Sequence, residues 1–242
     1  MPIFIAIGWM SGAPNGPSLR GYIALILLIV WCARYAIQFP WSGWTRGISH
    51  EDWRYVEIAK KTGSNTVFYW LASLVSLHLT PTLLVFWALS PVERVFSRGA
   101  VNSLELGQLD YFGIAVCISA MLIQHSADST LFRFRARVYG TSKDLDYKST
   151  NKKICQEGLW KYSRHPNYFG ECLFWLGLSI IAYAGEIDIS PFRAWSGSIE
   201  MFIFFRVSAH LTDQRMLINR GKKYQHVMDS VSPLIPFPTW LP

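Results

Sequence analysis

Long apolar runs alternate with shorter polar segments along this chain. The clear runs cover about residues 20–40, 66–90, 108–127, 167–186 and 191–211. A helix needs about 20 mostly apolar residues to cross the hydrocarbon core of a bilayer. The pattern therefore predicts an all-α, polytopic membrane helix bundle with about five transmembrane helices. An earlier apolar run within residues 1–17 is too short to span, so we divide the chain into an N-terminal apolar segment, 1–19, and one membrane domain, 20–242.

Polar residues inside and after these runs refine the prediction. Pro81 lies within the second run and predicts a kink or break there. Arg34 and His78 also lie within apolar runs, where ionisable side chains are costly and often functional. Residues 212–231 mix apolar and polar side chains in the pattern of an amphipathic helix lying on the membrane.

The positive charge is concentrated in a few segments. Of the 23 Lys and Arg residues, 17 lie in segments 41–65 and 129–165 and in the tail. Cations between apolar runs favour the lipid bilayer over nucleic acid as the partner. The positive-inside rule predicts that these segments and the C-terminus face the cytosol, at the endoplasmic reticulum if the source is eukaryotic. The four cysteines show no spacing typical of a metal site, and we expect neither a metal nor a disulfide framework.

The segment 158–171, GLWKYSRHPNYFGE, joins the most basic part of the chain to the fourth apolar run. Pro166 suits the first turn of a helix and predicts that a helix begins at 165–166. Free N–H groups at that start, beside Arg164 and His165, form a candidate site for an anion such as a phosphate or carboxylate. Asn167 and Glu171 are four residues apart and share a face of the new helix.

A second polar stripe follows the third run. Helical continuation places Gln124, Asp128, Leu131 and Arg135 on one face. An ordinary polar helix end is an equally good explanation of that stripe by itself. Together with segment 158–171, it indicates a cationic pocket that binds a soluble anionic cofactor, with an apolar small molecule or lipid as substrate. The sequence has no GxGxxG, P-loop, HExxH or GxSxG motif, which argues against soluble nucleotide folds and common hydrolases.

On these residues the chain resembles the steroid 5-alpha-reductase-related membrane proteins, in particular a branch long labelled a domain of unknown function. Residues 158–171 carry the most specific match, and the resemblance extends over about residues 20–237. Shorter matches are 31–34, 51–55, Ala127-Asp128 with Phe132-Arg133, 215–217, 221–224 and 234–236.

The resemblance implies a multi-helix membrane fold and NADPH-dependent reduction of a carbon–carbon double bond conjugated to a ketone. It implies that five polar residues contact NADPH, namely Gln124, Asp128, Arg135, Asn167 and Glu171. Tyr162 and Tyr168 flank the same motif. With the anion-site residues and Arg133, the candidate cofactor-binding residues are Gln124, Asp128, Arg133, Arg135, Tyr162, Arg164, His165, Asn167, Tyr168 and Glu171.

Two departures from the family pattern concern the N-terminal half. The chain is expected to be shortened before Trp31. The Glu and Tyr with which steroid reductases hold and protonate the substrate ketone have no clear match. The candidate catalytic residues are therefore Glu51, Tyr55 and His78.

Two alternatives remain open. Membrane methyltransferases that use S-adenosylmethionine on lipid or prenylated substrates carry a similar Arg-His-Pro-x-Tyr-x-Gly motif, matched here at 164–170. They usually show a Glu-Glu pair in the tail helix, where this chain reads Thr-Asp-Gln-Arg at 212–215. The other alternative is a non-catalytic membrane protein that retains the fold.

Overall fold

Helices make up nearly all of the part of the chain that the structure describes. The computed structural model describes residues 18–41, 53–63, 65–97, 105–139, 153–185 and 190–237. Among these residues no strand is formed, and an isolated parallel bridge joins Ser163 to Ser232. The helices are α1 (Leu19–Trp41), α2 (Trp53–Thr62), α3 (Thr66–Ser73), a π-helical segment (Leu74–Leu79), α4 (Thr80–Ala88), α5 (Ser90–Ser97), α6 (Gln108–Tyr139), a 3₁₀ turn (Gly158–Lys161), α7 (Pro166–Gly185), α8 (Pro191–Arg220) and α9 (Lys222–Ser230).

Within the described ranges, four stretches of helix are long and apolar enough to cross a membrane: Leu19–Ile37, Thr66–Ala88, Gln108–Val138 and Pro166–Gly185. They coincide with the first four predicted spans, so the prediction of an all-α, polytopic membrane protein is confirmed. The fifth predicted span, 191–211, lies within the 30-residue helix α8 but is not among these four, because Arg193, Glu200 and Arg206 interrupt its apolar run. The cytosolic orientation of the basic segments stays a prediction.

The chain forms two compact units. The first comprises Met1–Leu104 and Gly185–Gly197, and the second comprises Glu105–Ala184 and Ser198–Pro242. Helices α1 to α5 belong to the first unit. Helix α6, most of α7, the larger part of α8 and all of α9 belong to the second. All ten candidate cofactor-binding residues lie in the second unit.

Several polar segments expected to be loops are partly helical. Helix α6 runs to Tyr139 and therefore includes the first part of the expected basic loop 129–165. Residues 128–139 contain neither Gly nor Pro, so nothing in the sequence ends the helix before Gly140. The expected loop 41–65 likewise contains α2, and the expected loop 91–107 contains most of α5.

The second predicted span changes its helical winding directly before Pro81. Residues Leu74–Leu79 form the π-helical segment, and the Thr80 N–H bonds the carbonyl of Val75, five residues back. Pro81 has no N–H to donate to the preceding turn, and its ring crowds that turn. The wider π winding accommodates both effects, which is the local break that the sequence predicts.

The C-terminal amphipathic helix is present but shorter than predicted. Helix α8 continues to Arg220, Gly221 adopts a positive φ of 56°, and α9 begins at Lys222. The apolar residues Tyr224 and Val227 of α9 are buried, whereas Lys222 and Lys223 are exposed. The apolar face of α9 is therefore covered by the protein itself.

Helices α6 and α7 approach closely because glycine stands where they meet. A Cβ atom on Gly177 would lie 2.5 Å from Cys117 Sγ and 2.9 Å from the carbonyl oxygen of Gly113. A Cβ atom on Gly170 would lie 2.5 Å from Gln124 Cγ. Small residues at such contacts let helix backbones approach one another in membranes.

Many large apolar side chains point outward. In the span Thr66–Ala88, most large side chains are exposed, among them Phe68, Trp70, Leu83 and Phe86. Exposed apolar surface of this extent is unusual in a soluble monomer and suits contact with lipid. The finding supports an integral membrane protein in a bilayer.

The first prediction concerns the α6–α7 contact. Gly177→Ala places a methyl group against the backbone of Gly113 and the Cys117 side chain, so something has to shift. Overpacking of this kind costs about 1–3 kcal/mol of stability. We expect a lower thermal unfolding midpoint for the detergent-solubilised protein.

Gly107→Ala is the matched control, because no atom lies within 4 Å of a Cβ built there. It should leave the midpoint nearly unchanged. Equal midpoints for the two variants would contradict the close contact.

Candidate functional site

The segment that precedes α7 folds back along the second half of α6. Arg137 Nη2 donates to both carboxylate oxygens of Glu157, at 2.6 and 2.7 Å. Trp160 Nε1 donates to the carbonyl oxygen of Ala127 at 2.9 Å. Between these contacts Gly158 adopts a positive φ of 55°, which glycine tolerates without strain. The motif is thus held against the second half of α6 before α7 begins.

Helix α7 begins at Pro166, as the sequence predicts, and its first turn meets the stripe. Asn167 Nδ2 donates to Asp128 Oδ1 at 3.1 Å. Asn167 Oδ1 accepts from the backbone N–H of Tyr168 at 3.0 Å. One of the N–H groups expected to face an anion is therefore already bonded by Asn167.

Gln124 lies one turn before Asp128 on α6 and is fully buried. Neither Oε1 nor Nε2 of its amide has a hydrogen-bond partner among the described residues. Gly170 packs directly on its side chain. An unpaired buried amide costs about 1–3 kcal/mol, so a group of this kind calls for an explanation.

Glu171 follows Gly170 and lies one turn beyond Asn167 on the same face of α7. Its side chain is buried. The Asn167–Asp128 hydrogen bond joins two pairs that each share a helix face, Gln124 with Asp128 on α6 and Asn167 with Glu171 on α7. We refer to these four residues as the amide–carboxylate cluster.

Arg164 and His165 are placed differently from the expected anion site. Both contact the buried carboxylate of Asp213 on α8. Arg164 Nη2 lies 3.0 Å and Nε 3.2 Å from Asp213 Oδ2, and His165 Nε2 lies 2.8 Å from Oδ1. Tyr224 Oη of α9 donates to the same Oδ1 at 2.5 Å. The side chains of Arg164 and His165 are therefore already bonded to a carboxylate of the protein.

The C-terminal segment completes this network. Arg164 Nη1 donates to the carbonyl oxygens of Met228 and Val231, at 2.7 and 2.8 Å. The Arg164 backbone N–H donates to Ser232 O at 2.9 Å, and Ser163 Oγ donates to Leu234 O at 2.7 Å. The turn before α7 is consequently bonded on one side to residues 228–234.

The surroundings of Asp213 favour its charged form. Burial raises the pKa of the Asp213 carboxyl, but hydrogen bonds from His165 and Tyr224 and the charges of His165 and Arg164 together outweigh burial and lower it below its ordinary value. Burial, and then the bond to Asp213, raise the pKa of Tyr224. The tyrosine therefore stays a proton donor to the carboxylate.

The remaining cofactor-binding candidates are Arg133, Arg135, Tyr162 and Tyr168. Arg135 shares the helical face of Gln124 and Asp128, whereas Arg133 lies nine residues from Gln124 and so on nearly the opposite face. Both arginines are exposed. Tyr168 stacks on the His165 ring with centroids 5.2 Å apart. Tyr162 is exposed, and its carbonyl accepts from the Phe237 N–H.

Two of the three candidate catalytic residues meet in the first unit. Tyr55 Oη lies 2.9 Å from His78 Nε2, and His78 belongs to the π-helical segment. Glu51 lies outside the described residues. Within the described part of the chain, no group of three His, Cys, Asp or Glu is placed to hold a metal ion.

Asp213 and Tyr224 were not among the residues expected from the sequence. A usable signal was present. A buried arginine needs a counter-charge, and the chain has only 16 Asp and Glu residues from which to supply it. Asp213 is the acidic residue of α8 that lies in the polar tail segment compared with the methyltransferase pattern.

Comparison with known proteins gives three findings. A family model described as "Protein of unknown function (DUF1295)" matches residues 2–231. An uncharacterized protein of Schizosaccharomyces pombe is 25% identical over 245 residues, covering 97% of this chain and 67% of that protein. The Delta(14)-sterol reductase ERG24 of Saccharomyces cerevisiae is 34% identical over 96 residues, covering 38% of this chain and 22% of the reductase. No solved structure gives a significant match.

The prediction generated by this site concerns Arg164. Arg164→Ala leaves the buried Asp213 carboxylate with one fewer cation and frees two carbonyl groups. Breaking a buried pair in this way costs about 3–5 kcal/mol. We expect a large drop in the thermal unfolding midpoint even without any ligand.

Arg137→Ala is the control, because Arg137 pairs with Glu157 at an exposed position. Exposed ion pairs contribute little, so the midpoint should hardly move. An Arg164→Ala protein as stable as the parent would show that the Asp213 contacts are not structural.

Proposed function

The chain belongs to the DUF1295 family, the steroid 5-alpha-reductase-like branch, and we propose on that premise that it is a membrane-embedded reductase. The proposed reaction is the NADPH-dependent reduction of a carbon–carbon double bond in a lipid or steroid-like enone. The similarity to a Delta(14)-sterol reductase, although confined to 96 residues, supports the same class of activity.

The unpaired amide of Gln124 is the observation that carries the proposal. It is fully buried, and both polar atoms lack partners in the described part of the protein. A carboxamide ligand offers one donor and one acceptor, which matches the acceptor and donor of the glutamine amide. The nicotinamide group of NADPH carries such a carboxamide.

The rest of the amide–carboxylate cluster suits the other polar parts of a dinucleotide. Carboxylates such as Asp128 and Glu171 accept hydrogen bonds from ribose hydroxyls. Arg135 lies on the same face of α6 as Gln124, about 16 Å along the helix axis at 1.5 Å per residue. Its exposed guanidinium is available to a phosphate group. The residues present therefore fit the cofactor that the family implies.

In the proposed reaction the cofactor supplies a hydride for the beta carbon of the enone. The protein residues orient and shield. Gln124 would hold the carboxamide, Asn167 and Asp128 hold one another in place, and Gly170 packs against the Gln124 side chain at the buried end of the cluster. Orientation and a water-excluding site are what a protein adds to hydride-transfer chemistry.

The proposed substrate is apolar and arrives from the bilayer. The exposed apolar side chains of the spans support lipid access. Reduction of an enone also requires a proton donor near the carbonyl. Tyr55, bonded to His78, stays the candidate donor pair, and Glu51 stays a candidate outside the described residues.

The next prediction is a thermal-shift measurement with two cofactors. Purified protein in detergent should be stabilised by NADPH and not by S-adenosylmethionine. A ligand at 100 times its dissociation constant stabilises by about 2.7 kcal/mol, because it binds only the folded state. The readout is the shift of the unfolding midpoint.

Other outcomes have definite meanings. Stabilisation by S-adenosylmethionine alone would replace the reductase proposal with a methyltransferase. The absence of a shift with either compound, in protein shown to be folded, would favour a non-catalytic membrane protein.

A further prediction separates cofactor binding from folding. Gln124→Leu keeps roughly the same volume and removes the unpaired amide. We expect stability without cofactor to be unchanged or raised by about 1–3 kcal/mol, and NADPH affinity to fall at least tenfold. Titration of the variant with NADPH, beside its unfolding midpoint, checks both effects.

Gln214→Leu is the matched control on an exposed position of α8. It should not change NADPH affinity. A Gln124→Leu protein that binds NADPH as well as the parent would remove the observation on which the proposal depends.

A further inference from the structure

One buried carboxylate joins three separate parts of the second unit. Asp213 on α8 is 2% exposed. It accepts hydrogen bonds from Arg164 and His165, which precede α7, and from Tyr224 of α9. The two carboxylate oxygens have different partners: Oδ2 faces Arg164, and Oδ1 faces His165 and Tyr224.

Arg164 also bonds the C-terminal segment, and so connects it to Asp213. Its Nη1 bonds the carbonyl oxygens of Met228 and Val231, at the end of α9. A cation is favourable at the C-terminus of a helix, where carbonyl groups lack partners. Each nitrogen of the guanidinium thus contacts an acceptor of the protein. Arg164 is therefore a structural link and not the group that meets a ligand phosphate.

The turn held in this way sets the start of α7. The Arg164 N–H is bonded to Ser232 O, the His165 N–H to Ser163 Oγ, and Pro166 begins the helix. Asn167, the next residue, bonds Asp128 across the helix pair. A shift or rotation of this turn therefore moves Asn167 directly, and it moves Glu171 one turn later.

We propose that Asp213 is a positioning residue for the nucleotide site, and that residues 222–237 are part of that site's support. This inference rests on the proposed function, because it assigns Asp213 a role in presenting Asn167 to NADPH. Asp213 acts through Arg164 and His165 and does not contact the cofactor. The C-terminal segment, which carries none of the candidate binding residues, controls cofactor affinity through this network.

The test is a double-mutant cycle on NADPH affinity, measured by titration of the full-length protein. Asp213→Asn keeps the shape of the side chain but removes its charge, and we expect a tenfold or greater loss of affinity. Asn167→Ala should also weaken binding. If Asp213 acts by positioning Asn167, then Asp213→Asn should cost less than threefold when Asn167 is already Ala.

Two further variants keep the test decisive if Asp213→Asn does not fold. Tyr224→Phe removes one bond to Oδ1 and leaves no unpaired charge, so we expect a loss of affinity of twofold to fivefold that also disappears in the Asn167→Ala background. Asp229→Asn is the control, because Asp229 is an exposed acid on α9 that bonds Gln225. It should change nothing.

The outcomes distinguish the two levels of the proposal. Parent protein that does not bind NADPH overturns the proposed function and, with it, this role of Asp213. Parent protein that binds NADPH while the Asp213 and Tyr224 variants bind equally well overturns the inference alone. Additive losses in the cycle would also overturn it, since they would show general destabilisation and no effect through Asn167.

Discussion

The close approach of α6 and α7 is the constraint on which the second unit depends. Glycine at positions 170 and 177 removes the side chains that would otherwise separate the two backbones. The approach brings Asn167 to Asp128 and encloses Gln124. The same helix contact therefore produces both the apolar packing and the amide–carboxylate cluster. In a bilayer, apolar side chains gain little free energy by moving from lipid into a helix contact. Packing and interhelical hydrogen bonds are therefore the main interactions that hold the two helices together.

The charged residues around this contact have two distinct roles. Arg164 and His165 are used within the protein, on Asp213 and on the end of α9, and they fix the turn before α7. Arg135 remains exposed on the polar stripe of α6. Gln124 is buried without a partner in the described residues. A buried group left unpaired in this way is one that the proposed cofactor would satisfy.

Much of this arrangement follows from sequence periodicity. The four apolar spans, the start of α7 at Pro166 and the shared faces of Gln124 with Asp128 and of Asn167 with Glu171 depend on local rules of helix geometry and proline. The role of Arg164 does not, because it depends on Asp213, 49 residues away in sequence. The length of α6 was underestimated because its charged second half resembles a loop, and the burial of α9 depends on tertiary contacts that no local pattern reveals.

The most direct measurement is a fluorescence titration of NADPH into the detergent-solubilised protein. A dihydronicotinamide held between α6 and α7 should show enhanced emission and energy transfer from Trp160 and Trp175, which lie before and within α7, saturating with added NADPH. NADP⁺ should displace the bound NADPH and reduce this emission, whereas S-adenosylmethionine should leave the emission unchanged. Emission that never saturates, or that falls when S-adenosylmethionine is added, would contradict a nicotinamide site formed by Gln124, Asp128, Asn167 and Glu171.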